Sequence, residues 1–142
     1  MKIYGVTGWK NNGKTGLMER LVAEFTNRGF TVSTIKHSHH GADVDRPGTD
    51  SYRHRQAGAS EVVLASGARV AIMQELRGAE EPPLAELLAR LNPVDLVLVE
   101  GYKREPHPKI EAYRQEAGTD LIAPRDVSIR AVASDTALEL DR

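Results

Sequence analysis

Short apolar runs rich in valine, leucine and isoleucine alternate with helix-like stretches along the chain. The runs predict β-strands at residues 2–7, 31–36, 61–65, 69–73, 96–100, 109–113 and 129–134. Helices are predicted at residues 14–28, at residues 50–57 and from Pro82 to about Leu91. Ser66 and Gly67 are predicted to join two of the strands as a hairpin, and residues 118–126 to form a surface loop.

The strand predicted at residues 96–100 has the nearly continuous apolar sequence Leu-Val-Leu-Val-Glu. Such a run is typical of a strand that is buried on both faces of a parallel sheet. Strands that alternate with helices are usually connected by right-handed crossovers. The pattern therefore predicts an α/β fold, with a mostly parallel sheet flanked by helices and a small antiparallel hairpin.

Composition narrows the class of protein further. A chain of 142 residues is expected to form one domain, residues 1–142, and the absence of cysteine excludes a disulfide scaffold and a cysteine nucleophile. The 19 basic residues balance the 20 acidic ones, and no apolar run reaches the roughly 18 residues of a membrane helix. The N-terminus has no signal-peptide pattern. We therefore expect a cytoplasmic protein that binds neither nucleic acid nor membrane.

The turn after the first predicted strand has the strongest chemical signal. Residues 8–15, Gly-Trp-Lys-Asn-Asn-Gly-Lys-Thr, fit the phosphate-loop pattern G-x-x-x-x-G-K-[ST]. In such a loop, backbone N–H groups point at phosphate oxygens, Lys14 reaches the β- and γ-phosphates, and the Thr15 hydroxyl binds Mg²⁺. The helix that follows directs its positive end at the same anion. The candidate nucleotide-binding residues here are Gly8, Lys10, Asn11, Asn12, Gly13, Lys14, Thr15 and Gly16.

A phosphate loop also needs a carboxylate near the metal ion. Glu100 ends the apolar strand, and Gly101 leaves room beside it as a further candidate binding residue. Glu100 could bind Mg²⁺ through water or position an attacking water, so Lys14 and Glu100 are the candidate catalytic residues. The candidate metal ligands are Thr15, Asp50 and Glu100, and Asp50 is also a candidate nucleotide-binding residue.

Three other polar segments permit more than one interpretation. Residues 45–51, Asp-Arg-Pro-Gly-Thr-Asp-Ser, could contact Mg²⁺ or a γ-phosphate, or could be only a turn with a helix cap. His37, His39 and His40 are clustered, but without a second ligand set they predict a solvated or substrate-facing loop rather than a zinc site. The basic segment 103–109 could hold a second phosphate-bearing ligand or could be an exposed loop.

Other charged residues receive simpler interpretations. Arg53, His54 and Arg55 are predicted to form the solvated face of their helix. Asp95, at the start of the apolar strand, is predicted to be structural. Asp135 follows the last predicted strand, where it could accept hydrogen bonds from guanine or cap a local turn.

Several of these segments together resemble the MobB family, the molybdopterin-guanine dinucleotide biosynthesis adapter proteins. The matching motifs are G-W-K-N-N-G-K-T-G, P-G-T-D-S and D-L-V-L-V-E-G-Y-K, which occur in order between the N-terminus and about Tyr113. The resemblance implies a P-loop NTPase-like fold, GTP binding with Mg²⁺, weak GTP hydrolysis and a homodimer. It also implies a role beside the guanylyltransferase MobA, which attaches GMP to the molybdenum cofactor. In the resemblance, Gly8 and residues 11–15 match the GTP phosphate site. Apart from the resemblance, we infer that residues 103–109 face the pterin or the partner.

The residues leave two other functions open. One is a small-molecule kinase that uses ATP, for which Arg104 and Arg125 are the only loose candidates for the arginine of a lid. The other is a nucleotide-binding adapter without hydrolysis. The chain stops at Arg142, where members of the family usually continue, so we expect a domain that is short at its C-terminus.

Overall fold

The computed structural model describes residues 1–38, 44–45 and 47–141. Over these residues the helices are α1 (Lys14–Asn27), α2 (Asp50–Ala57) and α3 (Leu84–Arg90). The strands are β1 (Lys2–Thr7), β2 (Val32–Lys36), β3 (Glu61–Ala65), β4 (Val70–Gln74), β5 (Leu96–Glu100), β6 (Lys109–Tyr113) and β7 (Ile129–Ser134). Two 3-10 turns, Gln115–Ala117 and Ala123–Arg125, lie between β6 and β7, the second within the predicted loop. His39 and His40 of the histidine cluster lie outside the described residues.

The chain forms two compact units. The first consists of Met1–Ser38 and Leu88–Arg142, and the second of His39–Leu87. The first unit contains a five-stranded sheet in the order β2-β5-β1-β6-β7, in which every neighbouring pair is parallel. The second unit contains the antiparallel pair of β3 and β4. The predicted parallel sheet and the predicted hairpin are therefore confirmed.

The main core of the first unit lies between α1 and the sheet. Val6 of β1 and Leu98 of β5 are buried against Met18 of α1, with Leu17 and Leu21 partly buried around them. Leu17, Met18 and Leu21 have the three- and four-residue spacing that brings side chains to one face of a helix, and burying such a side chain contributes about 1.5–3 kcal/mol. None of the described helices is long and apolar enough to cross a membrane. Because β1 is the central strand, the turn that leads from it into α1 begins between two neighbouring strands.

A carboxylate joins the starts of β2 and β5. Asp95 Oδ2 accepts hydrogen bonds from the backbone N–H and the hydroxyl of Thr31 at 2.8 and 3.0 Å, and the same hydroxyl oxygen accepts from the Asp95 N–H at 2.9 Å. The backbone hydrogen bond, followed by that from the hydroxyl, lowers the pKa of Asp95, because both stabilise the charged form. The predicted structural role of Asp95 is confirmed. Thr31 is held in this contact, and β2 begins at Val32, one residue later than predicted.

Arg55 in the second unit is not solvated, so the prediction for this residue is wrong. Its guanidinium lies 3.1 Å from a carboxylate oxygen of Asp45 and 2.8 Å from one of Glu75, and its side chain is only 10% exposed. The pairing also occupies the carboxylate of Asp45, at the start of the segment predicted either to contact phosphate or to form a turn. A short polar helix pattern cannot reveal such burial, because both partners come from outside the helix.

Candidate phosphate-binding site

The turn between β1 and α1 has a backbone that only a glycine-rich sequence adopts easily. Gly8 has a φ of +147°, and a Cβ atom there would lie 2.6 Å from the carbonyl oxygen of Ala112 in β6. Asn11 and Gly13 also have positive φ values, +68° and +87°. The Leu17 N–H donates to the Gly13 carbonyl at 3.0 Å and opens α1, so the N–H groups just before it have no acceptor within the helix. Such N–H groups and the positive helix end together favour a phosphate.

Asn12 holds this turn to the neighbouring part of the sheet. The residue is only 3% exposed. Its amide nitrogen donates to the carbonyl oxygens of Trp9 and Lys10 at 3.2 and 3.3 Å, and to the hydroxyl of Thr119 at 3.0 Å. Its amide oxygen accepts from the Arg114 N–H at 2.8 Å. The Asn12 side chain is therefore committed to the shape of the loop, which makes its contribution to a phosphate site indirect.

Lys14 folds back into the turn. Its Nζ donates to the carbonyl oxygen of Gly8 at 2.8 Å. A phosphate oxygen is a stronger acceptor than a carbonyl, so a bound phosphate chain would compete for this ammonium group. Thr15 and Gly16 follow in the first turn of α1, and both are exposed, as is Lys10 in the loop.

A second lysine reaches the same turn from the segment after β5. The Nζ of Lys103 lies 4.0 Å from the centroid of the Trp9 ring, which is a cation–π contact. Partial burial is the main cause that lowers the pKa of Lys103, and the charge of Lys14 lowers it further, while Glu111 acts in the opposite direction. The basic segment predicted at residues 103–109 therefore brings at least one of its charges to the turn.

Arg114 also lies against the turn, although no sequence motif indicates it. It follows β6 directly, and a Cβ atom at Gly13 would come within 2.9 Å of its Nε. The guanidinium therefore adds a positive charge beside the residue that precedes Lys14. In the sequence, Arg114 is recognisable only as the residue after a predicted strand. That position indicates a residue of the site only when β6 is known to lie beside β1.

Glu100 lies at the end of β5, beside the central strand. It pairs in register with Val6 of β1 and Lys36 of β2, so its side chain emerges on the face of the sheet that α1 covers. Glu100 is 7% exposed, and the Lys36 ammonium lies 3.8 Å from its Oε2. Gly101 follows with a φ of +93° and lies against the His37 side chain.

The side chains at this edge fit a magnesium ion. Mg²⁺ usually takes one or two protein oxygens and completes its shell with water and phosphate oxygens. Thr15 offers a hydroxyl and Glu100 a carboxylate, and both are oxygen ligands of the kind that Mg²⁺ takes. A bound ion would be held by these two side chains and would neutralise phosphate charge. Asp50 is the first residue of α2 in the second unit, and its role as a ligand stays a prediction.

Two buried charges of β6 shape the loops around it. Glu111 was not predicted. Lys109 was predicted, as part of the basic segment 103–109, either to hold a ligand or to lie in an exposed loop, and this prediction is wrong for Lys109 because it is fully buried. The carboxylate of Glu111 accepts hydrogen bonds from the N–H groups of Ile122 and Ala123 at 2.8 to 3.0 Å. The ammonium of Lys109 donates to two carbonyl oxygens of the preceding loop and to the Ser128 hydroxyl. Both residues are almost completely buried. Each charge is satisfied by loop groups, so both residues fix loops rather than offer a free charge to a ligand.

Asp135 follows β7, at the same end of the sheet as the turn. Its Oδ1 accepts a hydrogen bond from the Gln115 N–H at 3.1 Å, next to Arg114. Of its two predicted roles, the structure shows the local cap. Reading of guanine by this carboxylate stays a prediction.

The parallel sheet and the glycine-rich turn that leads from its central strand into α1 define the class, an α/β protein with a P-loop NTPase-like fold. Comparison with known proteins identifies the family. The model of MobB, "Molybdopterin guanine dinucleotide synthesis protein B", matches residues 3–135. The chain therefore belongs to the MobB family, whose members serve as adapter proteins in molybdopterin-guanine dinucleotide biosynthesis.

Individual relatives agree with this assignment. The molybdopterin-guanine dinucleotide biosynthesis adapter protein of Haemophilus influenzae is 45% identical over 143 residues, covering 99% of this chain and 78% of the relative. The Escherichia coli protein of the same name is 44% identical over 144 residues, covering 98% and 81%. The crystal structure of a MobB homolog from Bacillus stearothermophilus matches with a TM-score of 0.66 and 29% identity, covering 100% of this chain and 83% of that one. For Bacillus subtilis MobB the TM-score is 0.74 at 22% identity, covering 99% and 86%, which supports the fold alone. The predicted family and fold class are confirmed.

Proposed function

We propose that this chain binds GTP with Mg²⁺ at the turn between β1 and α1 and assists the attachment of GMP to molybdopterin. The observation that carries the proposal is the joint placement of Lys14 and Glu100. Lys14 folds into the glycine-rich turn, and Glu100 ends the strand next to that turn. Membership of the family indicates the pathway. Lys14 would bind the phosphate groups, and Glu100 would bind the metal ion. We expect GTP hydrolysis to be slow, with Glu100 positioning water or metal.

The substitution Lys14→Ala tests this site. It removes the ammonium that would contact the β- and γ-phosphates, so GTP–Mg²⁺ binding should disappear in titration calorimetry. The fold should persist, because Lys14 lies at the turn rather than in the core, and circular dichroism checks this. Lys2→Ala, at the exposed start of β1, is the matched control and should bind like the wild type.

Each arm of this experiment can contradict the proposal. Retained micromolar binding by Lys14→Ala would remove the phosphate-loop assignment. A tighter complex with ATP than with GTP would overturn the assignment of guanine. A GTP affinity that does not change when Mg²⁺ is withheld would contradict the proposed metal ion at this site.

The proposal also includes the guanylyltransferase MobA as the partner. The relatives from two bacteria are named adapter proteins of this pathway, and an adapter must dock on another component. The basic segment 103–109 follows Glu100 closely, and its exposed part, residues 103–106, is the candidate surface for the pterin or for MobA. Lys103 already contacts the turn, so this surface would be continuous with the nucleotide site.

A homodimer is the last part of the proposal. In the hairpin of the second unit, Val63 pairs with Ile72 and Ala65 pairs with Val70, so these side chains share one face. Val63, Val70 and Ile72 are 60%, 63% and 66% exposed. A two-stranded sheet is marginally stable alone, and contiguous exposed apolar side chains mark interaction surfaces. A second copy of this chain would cover the face.

A further inference from the structure

Two ammonium groups are held by adjacent residues of the same turn. The Lys14 Nζ donates to the carbonyl oxygen of Gly8 at 2.8 Å, and the Lys103 Nζ lies 4.0 Å from the ring centroid of Trp9, the next residue. Trp9 itself is 41% exposed, so this cation–π contact lies at the surface rather than in the core. Lys14 comes from α1 and Lys103 from the segment after β5, so two separate elements deliver positive charge to one place.

The local charge balance favours an anion from outside the protein. Lys14 acts on Lys103 as a like charge, and repulsion of this kind is relieved when a negative group binds between the two. Glu111 is the carboxylate that acts in the opposite direction, but its oxygens already accept three backbone N–H hydrogen bonds. Its oxygens are therefore engaged by the loop it caps, and its effect on Lys103 is a Coulombic attraction only.

The segment that carries Lys103 starts from an anchored position. Tyr102 adopts a φ of +52°, and its ring lies 5.0 Å from the ring of His37, between centroids. Glu100, the candidate metal ligand, lies three residues before Lys103 in the chain. One short segment therefore presents both a carboxylate for the metal and an ammonium for the phosphates that the metal accompanies.

We propose that Lys103 is a second phosphate-contacting lysine, which leaves the Trp9 ring and binds the nucleotide's polyphosphate beside Lys14. This inference rests on the proposed nucleotide site and adds a residue to it. The Trp9 ring holds the ammonium in the absence of ligand, and a charge-assisted hydrogen bond to a phosphate oxygen is stronger than an exposed cation–π contact. Binding therefore transfers the ammonium from the ring to the phosphate.

The chain has one tryptophan, so its fluorescence reports ligand binding at this turn, and the Lys103 variants test the transfer itself. Titration of the wild type with GTP and Mg²⁺ should change the Trp9 emission with the same Kd that calorimetry gives. Lys103→Gln should raise that Kd about 10- to 100-fold, the effect of losing one charge-assisted hydrogen bond. Lys103→Arg should stay within a few-fold of the wild type, because the charge and the donors remain. Lys2→Gln makes the same change in net charge at the start of β1 and should leave the Kd unchanged.

Inorganic triphosphate is the second probe, because it lacks base and sugar. Lys103→Gln should weaken triphosphate and GTP by the same factor. Weakening of GTP alone would place Lys103 against the nucleoside and overturn the inference. An unchanged Kd for Lys103→Gln, with binding lost in Lys14→Ala, would overturn this inference and leave the proposed function standing, whereas a wild type that binds no GTP would overturn both.

Discussion

At the scale of single residues, Asn12 shows how the shape of the turn depends on a side chain that faces the protein. Asn12→Ala removes four hydrogen bonds and leaves the Arg114 N–H without its acceptor. We expect the free energy of unfolding to fall by about 1–3 kcal/mol, because a buried polar group loses its partner. Urea denaturation measures this change. GTP affinity should fall as well, since the loop is no longer held in one conformation.

Asn11→Gly is the matched control for this prediction. Asn11 is exposed and has a φ of +68°, a conformation that glycine adopts without a steric penalty. The free energy of unfolding of the Asn11→Gly variant should therefore differ from that of the wild type by less than about 1 kcal/mol. If Asn12→Ala unfolds at the same urea concentration as the wild type, the Asn12 side chain does not hold the loop.

The G-x-x-x-x-G-K-[ST] spacing predicted the glycine-rich turn at Gly8 and Gly13, because such backbone geometry is local in sequence. Arg114 and Glu111 were beyond such reasoning, because their roles depend on β6 lying beside β1. Asn12 was predicted to bind nucleotide, whereas its side chain has its hydrogen-bond partners within the protein. A short motif identifies backbone geometry well, but it does not show which side chains face inward.

At the scale of elements, α1 ends in a Schellman motif. The Gly29 N–H donates to the Thr26 carbonyl at 3.0 Å, the Phe30 N–H donates to the Phe25 carbonyl at 3.1 Å, and the two phenylalanine rings pack edge to face. Gly29 has a φ of +89°, so Gly29→Ala should lower stability by about 1–2 kcal/mol. Thermal unfolding followed by circular dichroism measures the effect.

Gly67→Ala provides the comparison for the helix end. Gly67 lies in the hairpin turn, where an added Cβ would meet nothing within 4 Å and φ is not in the left-handed region. The melting temperature of this variant should stay near that of the wild type. An equal loss in both variants would show that any added methyl group destabilises the chain, and would remove the special role of the Schellman motif.

Regular elements were predictable from the sequence almost to the residue, because burial imposes a period on them. α1 ended at Asn27, one residue before the predicted end, and β4 was shifted by one residue from the predicted strand. The turn at Ala123–Arg125 was not predicted. Its N-terminal N–H groups bond to the Glu111 carboxylate from β6, so its stability depends on a distant partner rather than on local propensity.

At the scale of the whole molecule, strand order decides which residues can form a site. β5 lies between β2 and β1, although long segments separate these strands in the sequence. This order places Glu100 beside the end of β1, where the glycine-rich turn begins. Alternating strands and helices predicted a parallel sheet, but several orders satisfy that pattern. The strands that neighbour β1 could therefore be identified only from the structure.

The exposed hairpin face predicts the assembly of the molecule. Ile72→Lys places a charge opposite Val63, where dimer formation would bury it at a cost of several kcal/mol. We expect the wild type to sediment as a dimer at micromolar concentration and Ile72→Lys as a monomer, with unchanged circular dichroism. Val127→Lys changes an apolar residue of the first unit that is 80% exposed, and it should remain dimeric. A wild type that sediments as a monomer would exclude the homodimer. An Ile72→Lys variant that remains a dimer would exclude this face as the interface.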